Sequence, residues 1–338
     1  AVVHVDSSLV SADRLTIEGM TVCHIYYTSE SNQIRHVEYK VPFSKNVELR
    51  STPADPIVSV TPSVDYVNCR AVNQRRLDVR GAISFTVKVT DQKQVQYISD
   101  AIGGDLQFKR EMVQTTDVLG QSQSSFPLIE ELELGYGKPE IGNIIRSDCR
   151  VHLLDYKVVS GKVVVKGDFL LHIRYQPVEE EKNLEVMEYT LPLSQILDCE
   201  AADEDCICDV ELIVASCMVS PKAGDDGESR IFAVDAKLGA AVTAHRHTEI
   251  PVASDCFSTQ FESSCKHTPV SFQRLVDVVN ETAMHKVSLD LPEGIDCVLD
   301  AWCEVDSITW KQQADALLVD FNLTISLFTR MENRECLY

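Results

Sequence analysis

The chain has 338 residues, 44% of them hydrophobic and 25% charged, which is typical of a globular protein large enough for two or three domains. It contains no apolar run of about eighteen residues and its first residues have no signal-peptide pattern, so neither a membrane span nor a leader is predicted. The net charge of −21 disfavours nucleic acid and anionic lipid as partners.

The first predicted strand lies near Leu15–Tyr27 and the second at Ile34–Val41. Apolar and polar residues alternate in both, as in strands with one buried and one solvated face. Because proline cannot donate to a β-ladder, Pro42 is expected to close the second strand. Two more alternating strands follow, at Val64–Val72 and Leu77–Val89.

The clearest strand pattern is GKVVVKGDFLLHIRY at Gly161–Tyr175. Its polar members, among them His172 and Arg174, are expected to face water. A shift of 148 residues aligns this strand with the strand at Leu15–Tyr27, and a shift of 154 residues aligns it with Leu317–Leu327. The apolar face of this strand consists of Val163, Val165, Phe169, Leu171, Ile173 and Tyr175. The sequence therefore contains one strand three times.

The neighbouring elements repeat as well. The second copy of the strand is followed by a hairpin ending at Pro192 and by strands at Val210–Val219 and Phe232–Ala244, whereas no such pair follows the third copy. We therefore predict three units, at residues 1–118, 119–268 and 269–338, the last of half length.

The predicted fold class is all-β, with tandem antiparallel sandwich-like or barrel-like repeats and few short helices. Residues 99–125 and 248–268 are expected to form loops with helical turns, and short helices are expected at Gly137–Arg146 and Phe272–Val279. Gly19 and Gly167 lie in the middle of repeated strands, where a bulge or bend is expected. Phe321 replaces this glycine in the third copy.

The repeated strand carries a histidine in two of its copies. His24 and His172 align and are expected to pair with cross-strand neighbours on the polar face, while the third copy has Ser326 there.

No pattern typical of a catalytic or cofactor site occurs, so we predict no enzyme, no catalytic residues and no cofactor. The spacing of His and Cys near the end of the second unit matches no zinc finger, and no metal site is predicted. The zinc candidates considered were His245, His247, Cys256, Cys265 and His267. The twelve cysteines are interpreted as free thiols, although their even number leaves disulfides open.

The repeated strand, the hairpin and its proline resemble the SPOCS repeat, also known as DUF3794, of spore-coat and cortex morphogenesis proteins in endospore-forming Firmicutes. The residues that carry the resemblance are Gly161–Gly167, His172–Tyr175 and Tyr189–Ser194, with Gly19, Ile25–Tyr27 and Pro42–Ser44 in the first copy. Family members similar to SipL and SpoVID often end in a LysM module that binds peptidoglycan. No LysM pattern appears in this sequence, so peptidoglycan binding is not expected.

The resemblance implies a non-enzymatic interaction or scaffold protein in spore-envelope or cell-envelope assembly. Protein partners are expected, and the implied location is the mother-cell cytoplasm or the spore envelope. The alternative is a ligand-binding or hydrolytic envelope protein with a cleft between units, whose polar residues would lie near 99–125 and 248–268.

Overall fold

A computed structural model describes residues 1–28, 34–54, 56–73, 75–91, 96–102, 105–179, 184–271, 274–279, 284–291, 293–314, 316–331 and 334–337. Over these ranges the chain forms fourteen strands and no helix, which confirms the all-β prediction. Since the described residues contain no helix, none of them forms a long apolar helix of the kind that crosses membranes.

The strands form five small antiparallel sheets. The first unit has one sheet of β1 (Val2–Ser11), β2 (Arg14–Thr28) and β3 (Ile34–Glu48), and one of β4 (Pro56–Asn73) and β5 (Arg76–Asp91). The second unit has one sheet of β7 (Ile141–Val159), β8 (Lys162–Pro177) and β9 (Glu185–Asp198), and one of β6 (Leu106–Glu133), β10 (Ile207–Ala223) and β11 (Ser229–Ser258). The third unit has a sheet of β12 (Cys297–Gln313), β13 (Ala316–Met331) and β14 (Arg334–Leu337).

The second unit is a β-sandwich whose two core clusters are both bordered by Phe126 and Leu212. The apolar face of β8 predicted from the alternation is buried, and it packs against alternate residues of β11. Tyr175 contacts the edge of the Phe232 ring at a centroid distance of 5.5 Å, and its hydroxyl donates a hydrogen bond to the Pro139 carbonyl at 2.9 Å. Two sheets that each have one apolar face thus bury those faces against each other.

The first unit repeats this plan with a smaller second sheet. Leu15 and Ile17 of β2 are fully buried. The Phe43 and Phe85 rings lie 5.2 Å apart and join β3 to β5. In the second unit β11 pairs with β6 as well as β10, whereas in the described part of the first unit β5 pairs with β4 alone.

The two prolines do not end their strands, so this prediction is wrong. β3 continues through Pro42 to Glu48, and β9 continues through Pro192 to Asp198. Both are edge strands of their sheets. A proline is tolerated on an edge strand because its missing N–H can face away from the ladder.

The predicted loops and helical turns are also partly wrong. Residues 106–125 belong to β6, which pairs with β11 along almost its whole length. Ile141–Arg146, predicted as helical, begins β7. Residues 274–279 have no regular structure, and residues 272 and 273 lie outside the described part of the chain. The polar composition of these stretches reflects exposed strand faces, because a long two-stranded ribbon buries little of either face.

The division of the chain into 1–118, 119–268 and 269–338 stays a prediction. Position 118 lies inside β6, whose first residues pair with the end of β11.

The two mid-strand glycines lie opposite β-bulges, as the sequence indicates. Gly19 pairs with Val5 beside a register shift in β1, and Gly167 pairs with Leu153 beside an equivalent shift in β7. A Cβ atom at Gly167 would collide with the His152 carbonyl oxygen, and one at Gly19 with that of His4. The glycines therefore allow the bulged strand to approach closely.

We predict that Gly167→Ala lowers the free energy of unfolding by about 2 kcal/mol or more, because its Cβ atom meets backbone that cannot move aside. Urea denaturation measures the change. Gly135→Ala is the control, since nothing lies within 4 Å of its added Cβ atom. Equal stability of the two variants would contradict the close-approach explanation.

Candidate functional site

The third sheet exposes one apolar face, which we call the uncovered face. The register places β12 and β13 residues directly opposite each other on it, for example Trp310 opposite Val319 and Ile308 opposite Phe321. Its exposed side chains are Val305, Ile308, Trp310, Leu317, Val319, Phe321, Leu323 and Ile325. The solvent-accessible fractions of the β13 members run from 37% at Ile325 to 62% at Leu317.

The repeat shows why this exposure is unusual. Leu323 aligns with Phe169, and Ile325 aligns with Leu171, both of which are buried beneath β11. No second sheet packs on β12–β13 within the described residues, although the His285 ring contacts Phe321 at 5.6 Å. A contiguous exposed apolar face is typical of an interaction site.

The other face of the third sheet contacts a charged cluster of the second unit, which we call the junction, through Asp300, Trp302 and Glu304 at one end of β12. Arg146 and Arg174 of β7 and β8 bind the two oxygens of Asp148 at 2.7 and 2.6 Å. Arg174 is almost fully buried and also contacts Asp300 of β12, whose side chain is 8% exposed. Burial raises the pKa of Asp148, but the two guanidinium groups outweigh it and hold the pKa below its usual value.

Trp302 reinforces the junction from the third sheet. The guanidinium groups of Arg146 and Arg174 lie 4.2 and 5.0 Å from the centroid of its ring. Glu304, two residues further along β12, lies 3.9 Å from Arg146. Cation–π contacts and ion pairs shielded from water are stronger than those on an open surface, so these residues fix the third sheet to the second unit.

The first unit reaches the same junction through β2. Burial raises the pKa of Tyr26, and Arg146 lies close enough to oppose that shift. Beside it, the His36 ring stacks on Tyr26 at 5.0 Å and on His24 at 5.3 Å. Burial lowers the pKa of both histidines.

The two aligned histidines pair across strands as predicted. His24 lies 3.8 Å from Glu38, and His172 lies 3.9 Å from Glu188. The prediction that this face of β8 is solvated is wrong at Arg174, whose side chain is only 3% exposed because the third sheet covers it. Alternation identifies the face of a strand that points away from the core, but it does not show whether another unit packs on that face.

The zinc candidates do not surround a common position. His247 contacts Thr116 in the middle of the β6–β11 ribbon, and His245 lies opposite Val118. Cys256 lies nine residues beyond His247, about 30 Å along an extended strand. It contacts Cys265, with their sulfur atoms 3.1 Å apart. His267 lies in the irregular segment after β11.

Sequence reasoning missed both the acidic residues of the junction and the His24–His36–Glu38 cluster. Asp148 and Asp300 show no recurring spacing, because Asp300 aligns with Arg146 rather than with another acid. His36 and Glu38 lie two residues apart on β3, where no apolar pattern marks them. Only the strand register shows that they lie beside His24.

The model of the family described as SipL, SPOCS domain, matches residues 1–72 and 140–222. These two segments of the chain are similar to the SPOCS domain. Each matched range contains one three-stranded sheet and the strand that follows it, so the similarity to the SPOCS domain lies in the first and second units. The third sheet lies outside both matches and is assigned to the repeat by its sequence alignment. No curated protein and no solved structure matches the chain.

We predict that Arg174→Gln lowers the free energy of unfolding by about 3 kcal/mol, because it leaves Asp148 and Asp300 without a shared cation. Chemical denaturation measures the loss. Lys162→Gln on the same strand is the control, since its pair with Asp198 is exposed and is worth less than about 1 kcal/mol. If both variants lose equal stability, the junction does not hold the units together.

A second prediction concerns pH and His172, whose pKa is lowered by burial and by Arg174. A histidine with a lowered folded-state pKa binds its proton more weakly when folded, so acidification below about pH 6.5 favours unfolding. Between pH 7.5 and 5.5 the wild type should therefore lose more stability than His172→Gln. Urea midpoints across this range provide the measurement, and parallel curves would contradict the burial of this imidazole.

Proposed function

We propose that this protein is a non-enzymatic scaffold of the spore envelope that binds another protein through the uncovered face. The observation that carries the proposal is the exposure in β13 of the side-chain positions that are core in β8. The similarity of two segments to the SPOCS domain supports a spore-associated interaction role. The absence of catalytic patterns in the sequence supports a binding function over a reaction.

The uncovered face indicates what would bind there. In the second unit the equivalent face is covered by a sheet with alternate apolar residues, including Phe232, Val234 and Leu238 of β11. A partner that presents a similar β-sheet face would bury the same kind of surface. Each large apolar side chain transferred from water contributes about 2 kcal/mol, so several together can support specific binding.

Charge favours a different protein over a second copy of this chain. Two chains that each carry a net charge of −21 repel one another, whereas a basic partner is attracted over distances of about a Debye length. We therefore assign the uncovered face to a basic envelope protein that contributes an apolar sheet.

We predict that Phe321→Lys reduces capture of this partner about tenfold or more, because it places a charge in the centre of the apolar face. Quantitative pull-down of the tagged full chain from sporulating cells, followed by mass spectrometry, measures the loss. Asn322→Lys is the matched control, since it adds the same charge on the opposite face of β13.

Equal capture by both variants would show that the uncovered face does not bind the partner. Light scattering of the purified chain provides a second test, because the proposal requires a monomer in the absence of the partner.

Localisation confined to vegetative cells would contradict the spore-envelope role. The cleft-based alternative stays a prediction, whose test is binding of an envelope ligand that Phe321→Lys leaves unchanged.

A further inference from the structure

The first unit contains a cluster of three potential metal ligands that the scaffold role does not use. His24 of β2 lies directly opposite Glu38 of β3, and His36 lies two residues before Glu38 on the same face. Single ligand atoms of the three residues lie within 4.8 Å of one another. It is the one such cluster in the part of the chain that the structure describes.

The spacing of these atoms resembles that around a bound zinc ion. His24 Nδ1 lies 3.1 Å from His36 Nε2 and 3.8 Å from Glu38 Oε1. In a tetrahedral site with zinc–ligand bonds of about 2.0–2.2 Å, neighbouring ligand atoms are separated by about 3.3–3.5 Å. Small side-chain rotations would therefore bring all three atoms to bonding distance.

The immediate surroundings support binding of a cation. Two imidazoles and one carboxylate form a donor set that suits zinc-type divalent metals. The positive charge of Arg146 acts on the cluster, where it lowers the pKa of His24. This charge is paired with Asp148 and Glu304, and the guanidinium group lies over the ring of Trp302. The Tyr26 ring stacks against His36 and limits its rotation.

The second unit provides a comparison within the same chain. Its His172 and Glu188 occupy the positions of His24 and Glu38 and are likewise opposite each other. Val186 replaces His36, so only two of the three ligands are present. The histidine–glutamate pair belongs to the repeat, while the third ligand is specific to the first unit.

We infer that His24, His36 and Glu38 bind one Zn²⁺ ion, with the fourth coordination position open to water or to a side chain of another protein. The ion would join β2 to β3 and stabilise the first unit. This site lies in a different unit from the uncovered face, so either proposal can fail without the other.

Calorimetric titration of the metal-free full chain with ZnCl₂ tests the inference. We expect one equivalent of zinc to bind the wild type and His247→Gln, a histidine control on the β6–β11 ribbon. His36→Val, which copies the second unit, should weaken binding about 100-fold or more, since it removes a direct ligand and the loss of an outer-shell partner alone typically costs about 10–100-fold. Its unfolding midpoint without metal should equal that of the wild type, which separates loss of a ligand from misfolding.

Cobalt provides an independent readout because the chain also contains cysteines. Co²⁺ at the proposed site should show visible absorption without a sulfur-to-metal charge-transfer band, since no thiolate is among the ligands. Glu38→Gln should weaken the visible bands. Failure of the wild type to bind zinc, unchanged binding by His36→Val, or a dominant thiolate band would each overturn the inference.

Discussion

The structure depends on one constraint, which is that the apolar face of the repeated strand must be covered. In β8 this face is buried beneath β11, and its residues belong to both core clusters of the second unit. In β2 Leu15 and Ile17 are likewise fully buried, whereas Tyr27 at the other end of the same face is 45% exposed. In β13 the equivalent face is left exposed, so the surface that elsewhere stabilises the fold becomes available for binding.

The polar face of the repeated strand has a complementary role, because it joins the units. Arg174 occupies a position held by Tyr26 in the first copy and Phe328 in the third, and only the arginine can neutralise both Asp148 and Asp300. Copies of one strand thus share an apolar face but differ in the contacts of the other face. This difference holds the third sheet with its apolar face outward.

Much of the fold is predictable from the sequence, because alternation and internal alignment depend only on local spacing. They identify the buried face of β8, the glycines opposite the bulges and the cross-strand pairing of the two aligned histidines. The prolines and the β6–β11 ribbon are mispredicted, since both depend on whether a strand lies at an edge. The burial of Arg174 and the approach of His36 to His24 depend on packing and register, and no periodicity reports them.

The central claim is that the uncovered face binds another protein in sporulating cells. Site-specific photo-crosslinking tests it directly, with a photoreactive residue placed at Val319 on the uncovered face or at Asn322 on the opposite face. The account predicts an adduct with a basic envelope protein from position 319 and little or none from position 322. Equal adducts from both positions, or none from position 319, would contradict it.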